Sequence, residues 1–259
     1  MKLIVLVKQV PDTGETRLLN LETGILDRAA TEAIPDEITE RALECALRMK
    51  DEDSSVEVIA LSAGDADAEK SLRKALSMGA DRAIQVVDGT LAGSDMLQTA
   101  KVLAAAIKRE EFDLVIAGNQ STDGKGGMVP AMIAEMLGRP VLTDLSEFSV
   151  EGGEVTATMR TEQHELQLAA QCPAVLSVTE RAAEARFPSF KGIMAAKKKP
   201  LDKLTLDDLG IQAGPAYAPN RSVMVSAAAA APKQTGPKLE DDEQAVAKLV
   251  DFLESKHLV

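Results

Sequence analysis

The residues with the most chemical content lie between Ala117 and Pro130, where AGNQSTDGKGGMVP sets four glycines (118, 124, 126 and 127) among polar side chains. Glycines let backbone N–H groups approach a phosphate closely, and the start of a following helix favours negative charge. The chemistry on offer is anion or nucleotide binding. The stretch is not a Walker A loop, since no Gly-Lys-Ser/Thr ends it, and it lacks GxGxxG, so nicotinamide binding has no support. From pattern alone it is either a phosphate cradle or a flexible connection. Tight polar turns at Pro11-Asp12-Thr13 and Ser62-Ala63-Gly64 would join it on one sheet edge and favour the cradle.

Groups able to do covalent or acid–base work are sparse. The two histidines, His164 in a predicted strand and His257 near the C-terminus, do not make a triad. Asp12, Asp36 and Asp123 sit at loop tips and helix starts, where carboxylates usually cap backbone N–H groups. Cys45 and Cys172 have no metal-ligand spacing and read as reduced structural thiols, which suits cytoplasm. The residues describe a binder without reaction machinery.

A second informative stretch is RFPSFKGIMAAKKKP, Arg186 to Pro200. Two of the chain's five phenylalanines, Phe187 and Phe190, stand there beside Pro188, Gly192 and three consecutive lysines. Apolar anchors rimmed by charge are what a protein-docking loop needs; the alternative is a pair of core residues beside a solvated patch.

The elements that position these stretches follow a βαβ rhythm. An apolar strand is expected at Lys2–Val10, then a helix over 37–50, a strand at Val56–Leu61 and a helix at Asp67–Met78 stopped by Gly79. A strand at Ala83–Val87, a helix over 94–109 capped by Ser94 or Asp95, a strand at Phe112–Ala117 and a helix from Pro130 to Leu137 continue it. The expected fold is α/β, a Rossmann-like doubly wound and mostly parallel sheet. After Pro140, Glu151-Gly152-Gly153-Glu154 separates two strands as a hairpin, with further strands at Gln163–Ala169 and Ala174–Val178. From Leu201 no core-building pattern is read. Ala213–Pro219 and the low-complexity stretch Ala227–Pro237 suggest an extended arm, closed by a helix from about Glu240 to Ser255.

Composition fits a 259-residue chain, 45% hydrophobic, with a sizeable core. A net charge of −12 makes nucleic acid and anionic membrane poor partners. The five-residue apolar run Leu3–Val7 reads as a strand rather than a signal sequence, and direct membrane insertion is not expected.

Four motifs in order resemble the β subunit of electron transfer flavoproteins, of the general, non-bifurcating type that includes actinobacterial members. They are VLVKQVPDT at Val5–Thr13, LRKALSMGADRAI at Leu72–Ile84, DLVIAGNQSTDGKGGMVP at Asp113–Pro130, and PAVLSVTERAAEARFPSFKGIMAAKKKP at Pro173–Pro200. The resemblance spans about residues 1–205; the tail matches in character more than in letters.

The resemblance implies an adenine-nucleotide-α-hydrolase-like domain over 1–200, with a recognition loop at 183–199, and an arm and helix over 201–259 wrapping an α subunit. It implies AMP held structurally in this subunit, and FAD held mainly by α. Electrons would pass from acyl-CoA and related dehydrogenases, as in fatty acid oxidation, to a quinone oxidoreductase. AMP contacts carry over to Leu6, to Ala33, Ile34, Pro35 and Asp36, to Ala63, and to the stretch Leu114–Val129. Within that stretch, Gly118, Asn119, Gln120, Ser121, Thr122 and Asp123 would shape the loop and meet adenosine. The amides of Gly124, Lys125, Gly126, Gly127, Met128 and Val129 would take the phosphate. The family often reads Asn-Pro-Phe-Asp/Cys where this chain has Ala33-Ile34-Pro35-Asp36.

The same resemblance places the dehydrogenase anchor at Phe190, usually Leu in the family, with Lys191, Ile193 and Met194 beside it. Phe187 is expected to pack the loop's base, and Lys197–Lys199 to steer acidic partners or face α. Two other readings stand beside this one. In a bifurcating member, the β site holds a second FAD that accepts hydride from NADH. A stand-alone nucleotide-binding stress-type module has the same fold but no use for the arm.

Overall fold

The structure is a computed structural model that describes residues 1–212, 224–233, 236, 238 and 242–259. Its first strand, β1 (Lys2–Leu6), carries KLIVL with Leu3, Ile4 and Val5 fully buried. Successive strand side chains face opposite sides of a sheet, so an unbroken apolar run needs cover on both faces. Leu3 and Val5 share one core cluster with Ala42, Leu43, Leu72 and Leu76. Ile4 and Leu6 share the other with Val102, Leu103, Ile107 and Ile133. The first cover comes from helices α1 (Glu37–Glu52) and α2 (Glu69–Met78), the second from α3 (Met96–Ile107) and α4 (Val129–Leu137).

The remaining strands are β2 (Gln9–Pro11), β3 (Ala33–Pro35), β4 (Glu57–Gly64), β5 (Arg82–Val87), β6 (Leu114–Gly118), β7 (Val141–Glu151), β8 (Glu154–Arg160), β9 (Glu165–Gln171), β10 (Ala174–Val178) and β11 (Leu201–Leu204). Among the described residues, nine strands join one sheet in the order β11-β5-β4-β1-β6-β10-β7-β8-β9. From β11 to β7 every neighbour is parallel. β7, β8 and β9 are antiparallel, and Gly152 and Gly153, at φ 57° and 84°, make the tight turn between the first two. This is the expected Rossmann-like doubly wound α/β sheet with its hairpin extension.

Topology locates a crevice. The chain steps outward from β1 to β4 and β5, then crosses back through α3 to β6 on the far side of β1. In such sheets ligands sit beyond the carboxyl ends of the strands at the point of reversal, here β1 and β6.

Three local readings change. The strand expected over 2–10 stops at Leu6, and residues 9–11 pair instead with β3 as a separate antiparallel ribbon. The segment from Leu201 is not devoid of core pattern: β11 adds to the edge of β5, and Leu206 is fully buried. The sheet therefore extends past the expected boundary at residue 200. β11 is only four residues long and leaves Asp202 and Lys203 exposed, which hides it from periodicity. The expected recognition loop holds a helix of about two turns, α5 (Phe190–Ala196), N-capped by Ser189 through Gly192 N–H at 3.0 Å.

The chain divides into compact units Met1–Val225 and Ser226–Val259. In the second, Ala227–Ala231 is neither helix nor strand. Its helix α6 (Ala245–Ser255) leaves Val246, Leu249, Val250 and Phe252 exposed. The expected Ala213–Pro219 segment, and the start of the expected final helix at Glu240, lie outside the described residues. No described helix is long and apolar enough to cross a membrane.

Candidate functional site

The loop after β6 is built from its first residue upward. Gly118 ends the strand against α1, where a Cβ would stand 2.8 Å from Ile38 Cγ2, so only glycine lets helix and strand close to this distance. Asn119 then donates from Nδ2 to Asp144 Oδ1 at 2.9 Å and accepts the Gln120 N–H at 2.9 Å, which turns the chain away from the sheet. Thr122 comes back to Asp36. One Asp36 carboxylate oxygen receives both the Thr122 N–H and its hydroxyl at 2.7 Å, while the other caps α1 through Ile38 N–H at 3.0 Å. Asp36 is 0% exposed and its carboxylate is taken up by these bonds. Its backbone is engaged as well, the N–H donating to the Lys8 carbonyl at 2.8 Å and the carbonyl accepting from the Thr39 hydroxyl at 2.7 Å. Asp36 therefore shapes the site from beneath and presents no surface to a ligand.

Asp123 is the electrostatic centre. Its side chain is 1% exposed, with Lys8 Nζ 2.7 Å from Oδ1 and Arg28 Nη2 2.6 Å from Oδ2. Burial alone would raise its carboxyl pKa. Hydrogen bonds from Lys8, Ser121 and Arg28, with the Lys8 charge, outweigh burial and hold it well below the usual carboxylate range. Lys8 also reaches Ser121 Oγ at 3.1 Å, and Arg17 donates to the Thr122 carbonyl and, at 3.0 Å, to the Pro11 carbonyl.

Beyond Asp123 the loop is exposed from Gly124 to Met128 and then enters α4, with Pro130 in its first turn. Lys125 and Gly127 adopt left-handed φ of 48° and 66°. Of the amides expected to take a phosphate, those of Gly124 and Lys125 are instead engaged within the loop, by Asp123 Oδ1 at 2.6 Å and the Ser121 carbonyl at 3.0 Å. That leaves the expectation to the stretch from Gly126 to Val129, where the helix start favours an anion. Met96, at the head of α3, lies over Gly126 so closely that a Cβ there would come within 2.2 Å of its sulfur. The expected contacts thus fall into one neighbourhood: Leu6 ends β1, Ala33–Asp36 precede α1, and Ala63 lies near the end of β4. A phosphate fits these groups, since glycine amides, a helix start and the cations Lys8, Arg17 and Arg28 surround the loop.

Sequence reading missed Lys8, Arg17, Arg28, Met96 and Asp144. Lys8 belongs to the quoted VLVKQVPDT motif, which was a signal; the two arginines sit in an aperiodic segment that gave none. The carboxylates Asp12, Asp36 and Asp123 serve as turn, cap and ion-pair groups: Asp12 accepts Gly14 N–H at 2.8 Å. Burial pushes the Cys45 thiol up to about 11 and raises Cys172 as well, so both stay protonated. Among the described residues no cluster of three or more His, Cys, Asp or Glu is placed to hold a metal ion.

The second stretch is anchored at both ends. Arg186 joins Glu44 of α1 at 2.6 and 3.0 Å and Asp51 at 2.7 Å. Burial by itself would raise Glu44, but hydrogen bonds from Arg186 and Arg48, with the Arg186 charge, leave it ionised below its ordinary value. At the other end Arg73 of α2 donates to the carbonyls of Ala196 and Lys199 at 3.0 and 3.2 Å. Gly192 lies against α2 so tightly that a Cβ would stand 2.2 Å from the Ser77 carbonyl oxygen.

Between these anchors Phe187 is 95% and Phe190 82% exposed, with Ile193 and Met194 exposed beside them. Phe187 therefore does not pack the base of the segment; Arg186 does that through its ion pairs. Lys199 is not a steering charge either. Its ammonium turns inward to the carbonyls of Leu76, at 3.0 Å, and Ala80, closing the end of α2. Lys191, Lys197 and Lys198 stay exposed.

Comparison with known proteins adds an independent line. The electron transfer flavoprotein domain matches residues 23–209. The chain is 44% identical over 263 aligned positions to the electron transfer flavoprotein subunit beta of Mycobacterium tuberculosis (strain ATCC 25618 / H37Rv), covering 99% of each. It is 37% identical to the subunit of the same name from Megasphaera elsdenii, over 79% of this chain and 78% of that one. It is 34% identical to the caffeyl-CoA reductase–Etf complex subunit CarD of Acetobacterium woodii, over 82% and 80%.

Proposed function

Because the chain belongs to the β-subunit family of electron transfer flavoproteins, we propose that it pairs with a flavin-binding α subunit, holds AMP at the 118–129 loop and docks dehydrogenases through Phe190. Proteins of this family are electron carriers. The observation that carries the nucleotide part is the exposed glycine path into α4 at the β1/β6 reversal, ringed by Lys8, Arg17 and Arg28. AMP supplies no redox chemistry here. The chain's own residues orient it, neutralise its phosphate and use it to brace the loop, while FAD is held mainly by α.

The docking part rests on two exposed phenylalanines, Phe190 at the start of the short helix α5 and Phe187 just before it, on a segment that Glu44, Arg73 and Gly192 fix to the domain. A rigid exposed aromatic loses little conformational freedom on burial, which suits a hot-spot anchor. Lys191, Ile193 and Met194 form its surround. Acyl-CoA and related dehydrogenases are the proposed donors and a quinone oxidoreductase the acceptor, with the protein working in the cytoplasm. The segment beyond the sheet, with the exposed apolar stripe of α6, is proposed to clasp the α subunit.

The test is Gly127→Val in the α-paired protein. A side chain at φ 66° strains the turn and obstructs the amides. AMP content should fall while flavin content is kept; unchanged AMP content would remove the loop from the site. A second reading gives the loop a redox-active FAD that accepts hydride from NADH. The relative named as part of a caffeyl-CoA reductase–Etf complex is the reason to count flavins: one per heterodimer supports AMP, two support the second reading.

A further inference from the structure

Residues 12–32 form a long excursion between β2 and β3, closed at its base by Asp12 N–H to the Glu32 carbonyl at 2.9 Å. Its far end is a small hairpin with a Leu19–Leu26 bridge and an Asn20 N–H to Ile25 carbonyl bond of 2.9 Å. Leu18, Leu19, Leu21 and Ile25 are all exposed, so the excursion has little apolar core of its own. At the tip Met224 lies where a Cβ on Gly24 would stand.

Near its base Thr13 donates its hydroxyl to Glu37 of α1 at 2.8 Å and Arg17 reaches the Pro11 carbonyl. Its remaining side-chain hold on the domain falls on two adjacent residues of the glycine loop. Arg17 donates to the Thr122 carbonyl and, at 3.3 Å, to the Thr122 hydroxyl. Arg28 meets the buried Asp123 carboxylate at 2.6 Å. These are the residues that Asp36 and Lys8 grip from the domain side. Thr122 and Asp123 are thus held from below by the fold and from above by the excursion. Guanidinium groups hold carboxylates and carbonyls with fixed direction, so the upper grip sets geometry as well as charge.

We infer that residues 12–32 are a strap over the glycine loop, with Arg17 and Arg28 as positioning residues that keep the loop in its binding shape and slow release of the nucleotide. The ligand in this inference rests on the reading proposed above; the strap does not. Lys8, Arg17 and Arg28 bring three positive charges against the two carboxylates of Asp123 and Asp36, so a phosphate on the loop would balance the surplus. Opening the strap removes that surplus and frees Thr122 together, which couples loop order to nucleotide retention.

The experiment uses the α-paired protein and the double substitution Arg17→Ala with Arg28→Ala. Amide hydrogen exchange over residues 118–128 should speed up by about tenfold or more, with β1 and β6 still protected to show an intact fold. Bound AMP should exchange with isotope-labelled free AMP faster by a similar factor, and Arg17→Lys with Arg28→Lys should fall between. Loop amides at the wild-type rate would overturn the strap. Loosened amides with unchanged AMP exchange would overturn its control of release. Wild-type protein without nucleotide would instead defeat the nucleotide assignment, and the amide measurement would still decide the strap.

Discussion

Asp36 and Thr122 are 86 positions apart and joined twice, by the Thr122 N–H and its hydroxyl, both 2.7 Å from one carboxylate oxygen. The other oxygen caps α1. A single buried carboxylate therefore fixes where the helix begins and where the glycine loop folds back. About two helical turns further along α1, Glu44 holds Arg186 and with it the base of the docking segment. One helix carries the supports of both proposed surfaces.

Asp36→Ala removes the cap and leaves two Thr122 donors without their acceptor. A lost cap costs about 1 kcal/mol, and each stranded buried donor about 1–3 kcal/mol. Because Thr122 is only partly buried, the low end applies, and urea unfolding should show a loss of about 3 kcal/mol, with weaker nucleotide retention. A loss below about 1 kcal/mol would mean that water or a relaxed loop replaces the bonds.

Phe190→Ala and Phe187→Ala should leave unfolding free energy within about 0.5 kcal/mol of wild type, because neither ring is buried in the chain. Only Phe190→Ala is expected to weaken the dehydrogenase. A hot spot of about 2 kcal/mol corresponds to roughly 30-fold in KM for the carrier, read in a dehydrogenase-coupled flavin reduction assay. Gly192→Ala should act on the same assay through structure, by lifting α5 off Ser77. Equal losses from Phe187→Ala and Phe190→Ala would shift the anchor from one residue to the pair.

Asp123 makes a pH prediction. Its folded pKa is depressed, so the stability it adds is fully present above its unfolded value of about 3.9 and is lost as pH falls through the folded one. The difference in unfolding free energy between wild type and Asp123→Asn should stay flat from pH 8 to about 4.5 and shrink only below that. A difference already fading between pH 7 and 5 would show that the cluster with Lys8 and Arg28 does not hold the carboxylate as the geometry indicates.

The fold was legible where local rules suffice. β1 and β10 are short apolar runs, α1 and α3 begin at Asp36 and Asp95, and Gly152-Gly153 marks the hairpin. The candidate loop was legible because glycines, polar residues and a following Pro130 are neighbours in sequence. Its supports were not, since Lys8 and Asp123 are 115 positions apart and the arginines lie in a segment without periodicity. The seven-residue α5, with a glycine inside it, was too short for a helical pattern to register. Phe187 misled because the resemblance put the anchor at Phe190 and left the other ring to pack the base, whereas the segment is tied down by Arg186, Arg73 and Lys199, all polar anchors.

The central claim is that this subunit holds one AMP on the 118–129 loop beside a partner that holds the flavin. Native α-paired protein denatured and analysed by mass spectrometry tests it most directly. The prediction is one AMP and one FAD per heterodimer, with AMP lost selectively in Gly127→Val; a heterodimer yielding no AMP, or two FAD, would contradict it.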